Sequence, residues 1–250
     1  MQLRNFLYEW KFALFNTLIY SLFITSLFYV TGSQVAWLLA WGWLCSTLGN
    51  SVLLHRYYTH KQFKLNKITE YMLLPFAIII GIGSTIQYAL LHRQHHNVCD
   101  EIGDPHSPSK LGMLTVMSGL WEFFPTRYFV NLKAAMPKDL IVKPLHRFVH
   151  NNYYSIWVIS LIICLVINWQ VAIAVFSWAA VYQKVWENIV VNGLCHPGIS
   201  NIKDWKIFGF VTGGESMQKF HHEYPNEVKL SGNWLVDPGY PIVQLIKEQK

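Results

Sequence analysis

Four stretches of the chain carry no acidic or basic residue: Phe12 to Val30, Val35 to Leu54, Tyr71 to Leu91 and Asn151 to Gln183. A helix needs roughly 20 apolar residues to cross the hydrocarbon core of a bilayer. The first two runs suit one crossing each. The fourth is long enough for two, and Asn168-Trp169-Gln170 breaks it where a tight turn belongs. The pattern predicts an all-α integral membrane fold with four transmembrane helices, near 12–30, 35–54, 151–168 and 170–191. No small-residue cleavage site follows the first run, which reads as a retained anchor. No repeat or linker divides the chain, so 1–250 reads as a single domain.

The run 71–91 is different. Pro75 lies near its start and the Gly81-x-Gly83 pair at its middle. It is expected to be a buried or re-entrant helical segment that does not span, since irregular backbone is tolerated at membrane depth where protein covers it.

Composition and charge agree with a membrane protein. Charged residues make up 14% and hydrophobic ones 52%, against about a quarter charged in soluble domains. The net charge of +6 is spread among apolar runs without a basic patch, so nucleic acid is not an expected partner. The two candidate outer turns, Thr31 to Gln34 and Asn168 to Gln170, hold no Lys or Arg. Positive charge collects on the cytoplasmic side, which places both termini and a helical cap there, in a multi-pass protein. Cysteines 45, 99, 164 and 195 lack paired spacing, so neither a disulfide framework nor a zinc ribbon is expected.

The chemistry lies in the histidines, which gather on this one side. His55 and His60 end the second run, in "HRYYTH". His92, His95 and His96 follow the third, in "HRQHH". His196 follows Asn192 in "NGLCH", and His221 and His222 follow Gln218 in "QKFHH". On an α-helix His92, His95 and His96 share one stripe, as do Asn192 and His196. Five residues turn an α-helix by roughly 140°. His55 and His60 are therefore expected to serve two different ions, or one if the helix frays. Eight imidazoles without a cysteine cage exceed what one tetrahedral zinc uses, and imidazole alone does not choose among Zn, Cu, Fe and Ni. The expectation is a two-metal site roofed by several helix ends. His146 and His150 are expected at the membrane interface beside Arg147. His106, in "GDPH", is either an orienting partner of a ligand or a loop residue. Lys184 and Glu187 are either functional or reach for the surface.

These boxes resemble those of the membrane fatty-acyl desaturases, especially the stearoyl-CoA desaturase-like branch, from about residue 35 to 240: "HRYYTH", "HRQHH" followed by "GDPH", "NGLCH", and "GESMQKFHHEYP". The resemblance implies two non-haem iron ions, with O2 as co-substrate. The implied ligands are His55, His60, His92, His95, His96, His196, His221 and His222, with Asn192 acting through water. The chain departs from the family at Gln218, where the third box usually begins with histidine; either its carbonyl oxygen coordinates or one iron position stays more open. The implied reaction is introduction of a double bond into a fatty-acyl chain carried as acyl-CoA, acyl-carrier protein or acyl-lipid. The alternative is a same-fold hydroxylase or acetylenase. No dinucleotide fingerprint or haem extension is present, so an external electron donor, a ferredoxin or a b-type cytochrome, is the expected partner, docking near Lys61, Lys64 and Lys67. Tryptophans 37, 41, 43 and 178, with Thr47 and Asn50, are the expected walls of an acyl tunnel among the spans, with membrane lipid around them. A reporter fused near Lys110 is expected to report the cytoplasmic side; an external signal there overturns the four-span reading.

Overall fold

The computed structural model describes residues 3–101, 103–124, 136–198 and 201–248, with side chains from Trp10 onward. Among the described residues there are helices and loops and no strand, only an isolated bridge between Asp204 and Met217. Four long helices form the frame. α1 is Leu3–Ser26. α2 is Gly32–Cys45 and continues as a π-helix through Ser46–Thr59. After the short helices α3 (Lys67–Ile79), α4 (Thr85–Asn97), α5 (Pro108–Leu111), α6 (Met113–Met117) and α7 (Lys138–Ile141) come α8 (Pro144–Ile167) and α9 (Trp169–Trp186). α9 also continues as a π-helix, Glu187–Leu194. α10 (Gln218–Glu223) and α11 (Gly239–Ile246) complete the chain.

Local signals explain where the helices begin. The Thr31 N–H donates to Gln34 Oε1 at 2.8 Å, Asn66 Oδ1 accepts from the Thr69 N–H at 2.9 Å, and Asn168 Oδ1 accepts from the Val171 N–H at 3.1 Å. Each satisfies a backbone donor that a helix start leaves orphaned. α9 is the central helix, packed on α1, α2 and α8. Its buried Ala172, Ala179 and Ala180 keep the spacing short. Against it, a Cβ on Gly42 would stand 2.6 Å from the Tyr182 Cβ, so only glycine permits that approach. Gly32–Thr59 and Pro144–Ile167 are long and apolar enough to cross a membrane. The second presents Ile159, Ile162, Ile163, Val166 and Ile167 outward, an apolar surface that suits lipid. Tyr29 Oη donates to Gln170 O at 2.9 Å and Trp178 Nε1 to Ser26 Oγ at 2.9 Å. The α1–α2 and α8–α9 turns therefore share one end of the bundle, opposite the histidines.

The 71–91 run divides between α3 and α4, with a break at 80–84. Each helix has 13 residues, about 20 Å, short of the ~30 Å hydrocarbon core. The break meets the middle of α8. Tyr153 Oη donates to Ile78 O at 3.1 Å and accepts from the Gly83 N–H at 3.2 Å, while Trp157 Nε1 donates to Ile79 O at 3.2 Å. These contacts satisfy backbone groups that apolar surroundings would leave without partners. Gly81 and Gly83 take φ of 70° and 111°, a region glycine enters without strain.

His146 is not at the surface, whereas His150 is exposed. His146 is fully buried, with Nδ1 3.0 Å from Thr85 Oγ1 and Nε2 3.5 Å from Glu70 Oε1. His150 Nδ1 lies 2.7 Å from Ser84 Oγ. Both tie α8 to the start of α4, and the packing of α3 and α4 on α8 encloses His146. Lys184 does not reach the surface either: it is 1% exposed and its Nζ lies 2.6 Å from Glu122 Oε2. Asn188 Nδ2 donates to the other carboxylate oxygen at 2.6 Å.

Replacing Tyr153 by Phe leaves the Gly83 N–H without its acceptor, while Ile78 O keeps the Gly81 N–H. Buried unsatisfied groups cost about 1–3 kcal/mol each, so Tyr153→Phe is expected to lower the melting temperature of the detergent-solubilised protein by several degrees. An unchanged melting temperature would contradict this account of the break.

Candidate metal centre

The π-helical end of α2 decides how its two histidines point. In a π-helix the backbone closes from i to i+5, and the His60 N–H donates to His55 O at 3.1 Å. Residues five apart then stack on one side. The expectation that His55 and His60 diverge, which assumed an α-helix, is corrected: their rings are 4.9 Å apart and belong to one group.

That group contains His55, His60, His92, His96 and His221, with one ligand atom from each lying within 4.8 Å of all the others. His221 Nε2 is 3.0 Å from His55 Nε2 and 2.9 Å from His96 Nε2, which is 3.1 Å from His92 Nε2. A second group joins His95, His196 and His222 with Cys99; His95 Nε2 and His222 Nε2 are 3.2 Å apart. The rings of His96 and His222 stack at 4.3 Å and bridge the two groups. Three helix ends and the α10 turn thus deliver all eight sequence-identified histidines to one place.

Buried carboxylates face the outer nitrogens. His55 Nδ1 lies 2.6 Å from Glu215 Oε2, His95 Nδ1 2.8 Å from Asp104 Oδ2, and His196 Nδ1 3.2 Å from Asp100 Oδ2. A carboxylate accepts the Nδ1 proton and so leaves the lone pair on Nε2. Gln218 is arranged the same way. Its Nε2 donates to Glu215 O at 2.7 Å, which turns Oε1 toward His196 Nε2 at 3.4 Å. In the tautomer that gives the Nδ1 proton to Asp100, His196 Nε2 and Gln218 Oε1 are two facing acceptors, an arrangement that suits a cation. Asn192 is 4% exposed, its Nδ2 has no hydrogen-bond partner, and it lines the same cavity as His95 and Gln218.

Burial, reinforced by neighbouring imidazoles, pushes His60 down to about 2 and holds His92, His96, His221 and His222 well below the ordinary histidine range. They are neutral at physiological pH, the form that binds metal. Burial pushes Glu215 up, but His55 and Arg56 outweigh it and the net direction is down. Asp104, likewise opposed by burial, is held low by His95. Arg56 in turn pairs with Asp237 at 2.7 Å, both fully buried, and its Nη1 donates to Val228 O at 3.0 Å. This pair fixes the C-terminal segment against the π-helical end of α2.

Sequence reasoning missed Cys99, Glu215, Asp100 and Arg56 as parts of the site. Cys99 stands four residues after His95, and the acidic residues flank the boxes, which is the signal that was available. His106 lies on the His95 ring at 4.6 Å between centroids, an orienting position. The acyl-tunnel expectation is corrected in part. Asn50 borders the histidine cavity together with Tyr88, His92 and Glu187, and an adjoining recess is lined by Phe12, Ile82, Leu91 and Trp121. The four tryptophans are absent from both: Trp37 is 79% exposed, Trp43 stacks on Phe210, and Trp41 and Trp178 donate to Val175 O and Ser26 Oγ.

No protein-family profile matches the chain. Several characterised proteins do. The hex-5-enoyl acyl-carrier-protein acetylenase of Moorena producens is 26% identical over 80% of this chain and 70% of its own length. Delta-9 acyl-lipid desaturase 2 of Arabidopsis thaliana is 26% identical over 92% of this chain and 76% of its own. The sn-1 stearoyl-lipid 9-desaturase of Anabaena variabilis is 25% identical over 93% and 89%. Over most of its length the chain is thus similar to fatty-acyl desaturases.

Proposed function

We propose that the protein is an O2-dependent di-iron oxidoreductase that introduces a double bond into a fatty-acyl chain. The carrying observation is the convergence of two groups of imidazoles, three of which turn their outer nitrogens to buried carboxylates. His55, His60, His92, His96 and His221 would hold one ion. His95, His196 and His222 would hold the other, with Gln218 through its carbonyl oxygen and Asn192 through water. Taking hydrogen from an unactivated CH2 requires an oxidant that no side chain supplies; iron with O2 supplies it, and the protein binds and aims it.

The chain's own residues do the rest. Glu215, Asp104 and Asp100 keep the ligand nitrogens aimed inward. Tyr88, whose ring lies parallel to that of His92 at 5.7 Å, and the recess edged by Phe12, Ile82, Leu91 and Trp121 offer an apolar path for an acyl chain. The Glu122–Lys184 pair closes the wall of that path. α1, α2, α8 and α9 are the four spans, the α3–α4 pair enters and returns, and the histidine end faces the cytoplasm as the Lys and Arg distribution requires. An external ferredoxin or b-type cytochrome delivers electrons from that side.

A second reading has its own support. Gln218 leaves the second ion with fewer imidazoles than the first, and an acetylenase is among the relatives. Formation of a triple bond is therefore the alternative outcome at the same centre.

Mass spectrometry of lipids from cells expressing the protein, beside a His95→Ala control, separates these outcomes: new double bonds support the first reading, triple bonds or hydroxyl groups the second. A profile identical to the control removes both. Purified protein is expected to hold two iron ions per chain. Loss of a partner that orients a ligand costs roughly 10–100-fold in metal affinity, so Glu215→Ala should weaken iron retention by that factor in a chelator competition.

A further inference from the structure

We infer that Cys99 supplies a thiolate ligand to the second metal position, beside His95, His196 and His222. The inference rests on the metal-centre reading and adds a donor that the histidine boxes do not contain. Cys99 Sγ lies 3.8 Å from His95 Nε2, and His95, Cys99, His196 and His222 each offer one atom within 4.8 Å of the others; the sulfur's 3.8 Å contact to His196 is to Nδ1, the nitrogen on the Asp100 side. Bonds of about 2.1 Å to nitrogen and 2.3 Å to sulfur place neighbouring donors of a tetrahedral ion roughly 3.6 Å apart, close to that spacing.

An ordinary hydrogen-bonded thiol accounts poorly for this position. A thiol carries one proton and is a weak donor. Here three polar atoms, His95 Nε2, His196 Nδ1 and Asp100 Oδ2, surround the sulfur at the same long distance of 3.8 Å. The backbone holds it there firmly. Asp100 takes a φ of 60°, its N–H donates to Asp104 Oδ2 at 2.7 Å, and its Oδ1 accepts from Ser107 Oγ at 2.9 Å. The same two carboxylates that orient His95 and His196 therefore also position Cys99. The other thiols serve packing: Cys45 and Cys195 are buried, and Cys195 Sγ donates to Ser216 O at 3.5 Å.

The donor count gives an independent reason. Five imidazoles gather at the first position and three at the second, because the third box begins with Gln218. The unpartnered Nδ2 of buried Asn192 borders the cavity that His95 and Gln218 also line. A thiolate adds a fourth donor and a negative charge to the three-histidine group. Binding exchanges the thiol proton for the ion: Cys–SH and a divalent cation give the metal thiolate and one proton released to solvent.

The test uses the full chain in detergent, stripped by chelator and reloaded with cobalt(II). The expected result is two cobalt ions per chain and an intense sulfur-to-cobalt charge-transfer band in the near ultraviolet. Cys99→Ser should lose the band and Cys164→Ser should keep it. Two bound cobalt ions without the band, or a band that survives Cys99→Ser, overturn the assignment while leaving the metal centre standing. A chain that binds no cobalt overturns both. Alkylation of the unaltered protein by iodoacetamide, mapped by mass spectrometry, needs no variant: cobalt should block modification of Cys99, and equal labelling with and without cobalt counts against ligation.

Discussion

A lone pair must be kept pointing inward, and the centre depends on how that is done. An imidazole offers two nitrogens, and only the one without a proton can bind a metal. Buried carboxylates settle the choice for His55, His95 and His196 by facing their outer nitrogens. Desolvation then keeps the neighbouring rings neutral. Each carboxylate is held in its turn: Glu215 feels Arg56, and Asp104 accepts the Asp100 N–H. The acidic residues are therefore as necessary to the site as the histidines, although none of them is expected to touch an ion.

Geometry at the helix ends solves a second problem. An α-helix presents residues three and four apart on one face, which serves His92, His95 and His96. Residues five apart need a wider turn, and both α2 and α9 widen into π-helices where they approach the site. The Arg56–Asp237 pair clamps the first of these. A buried ion pair is a poor source of net stability, but removing one partner strands a charge, so the arrangement is hard to lose once present.

Much of this was legible in the sequence. The box spacing marked all eight histidines, and the Gly81-x-Gly83 pair marked the place where the third apolar run breaks. What was not legible depends on contacts distant in the chain. Nothing in "HRYYTH" announces a π-helix. Nothing near His146 indicates that Glu70 and Thr85 will enclose it. Of the expected tunnel residues Asn50 borders the cavity, whereas Trp41 and Trp178 spend their indole N–H groups on neighbouring helices. Cys99 was passed over because cysteines were weighed by their spacing from one another and not from histidine.

The break between α3 and α4 has a consequence for biogenesis. Among the described residues its carbonyl at 79 and its amide at 83 find their partners in Trp157 and Tyr153, some seventy residues later in the order of translation. The nascent hairpin must therefore wait, with open polar groups, until α8 emerges from the ribosome and docks. His221, His222 and Asp237 are made later still. The histidine groups are therefore assembled only after segments far apart in the order of translation have docked.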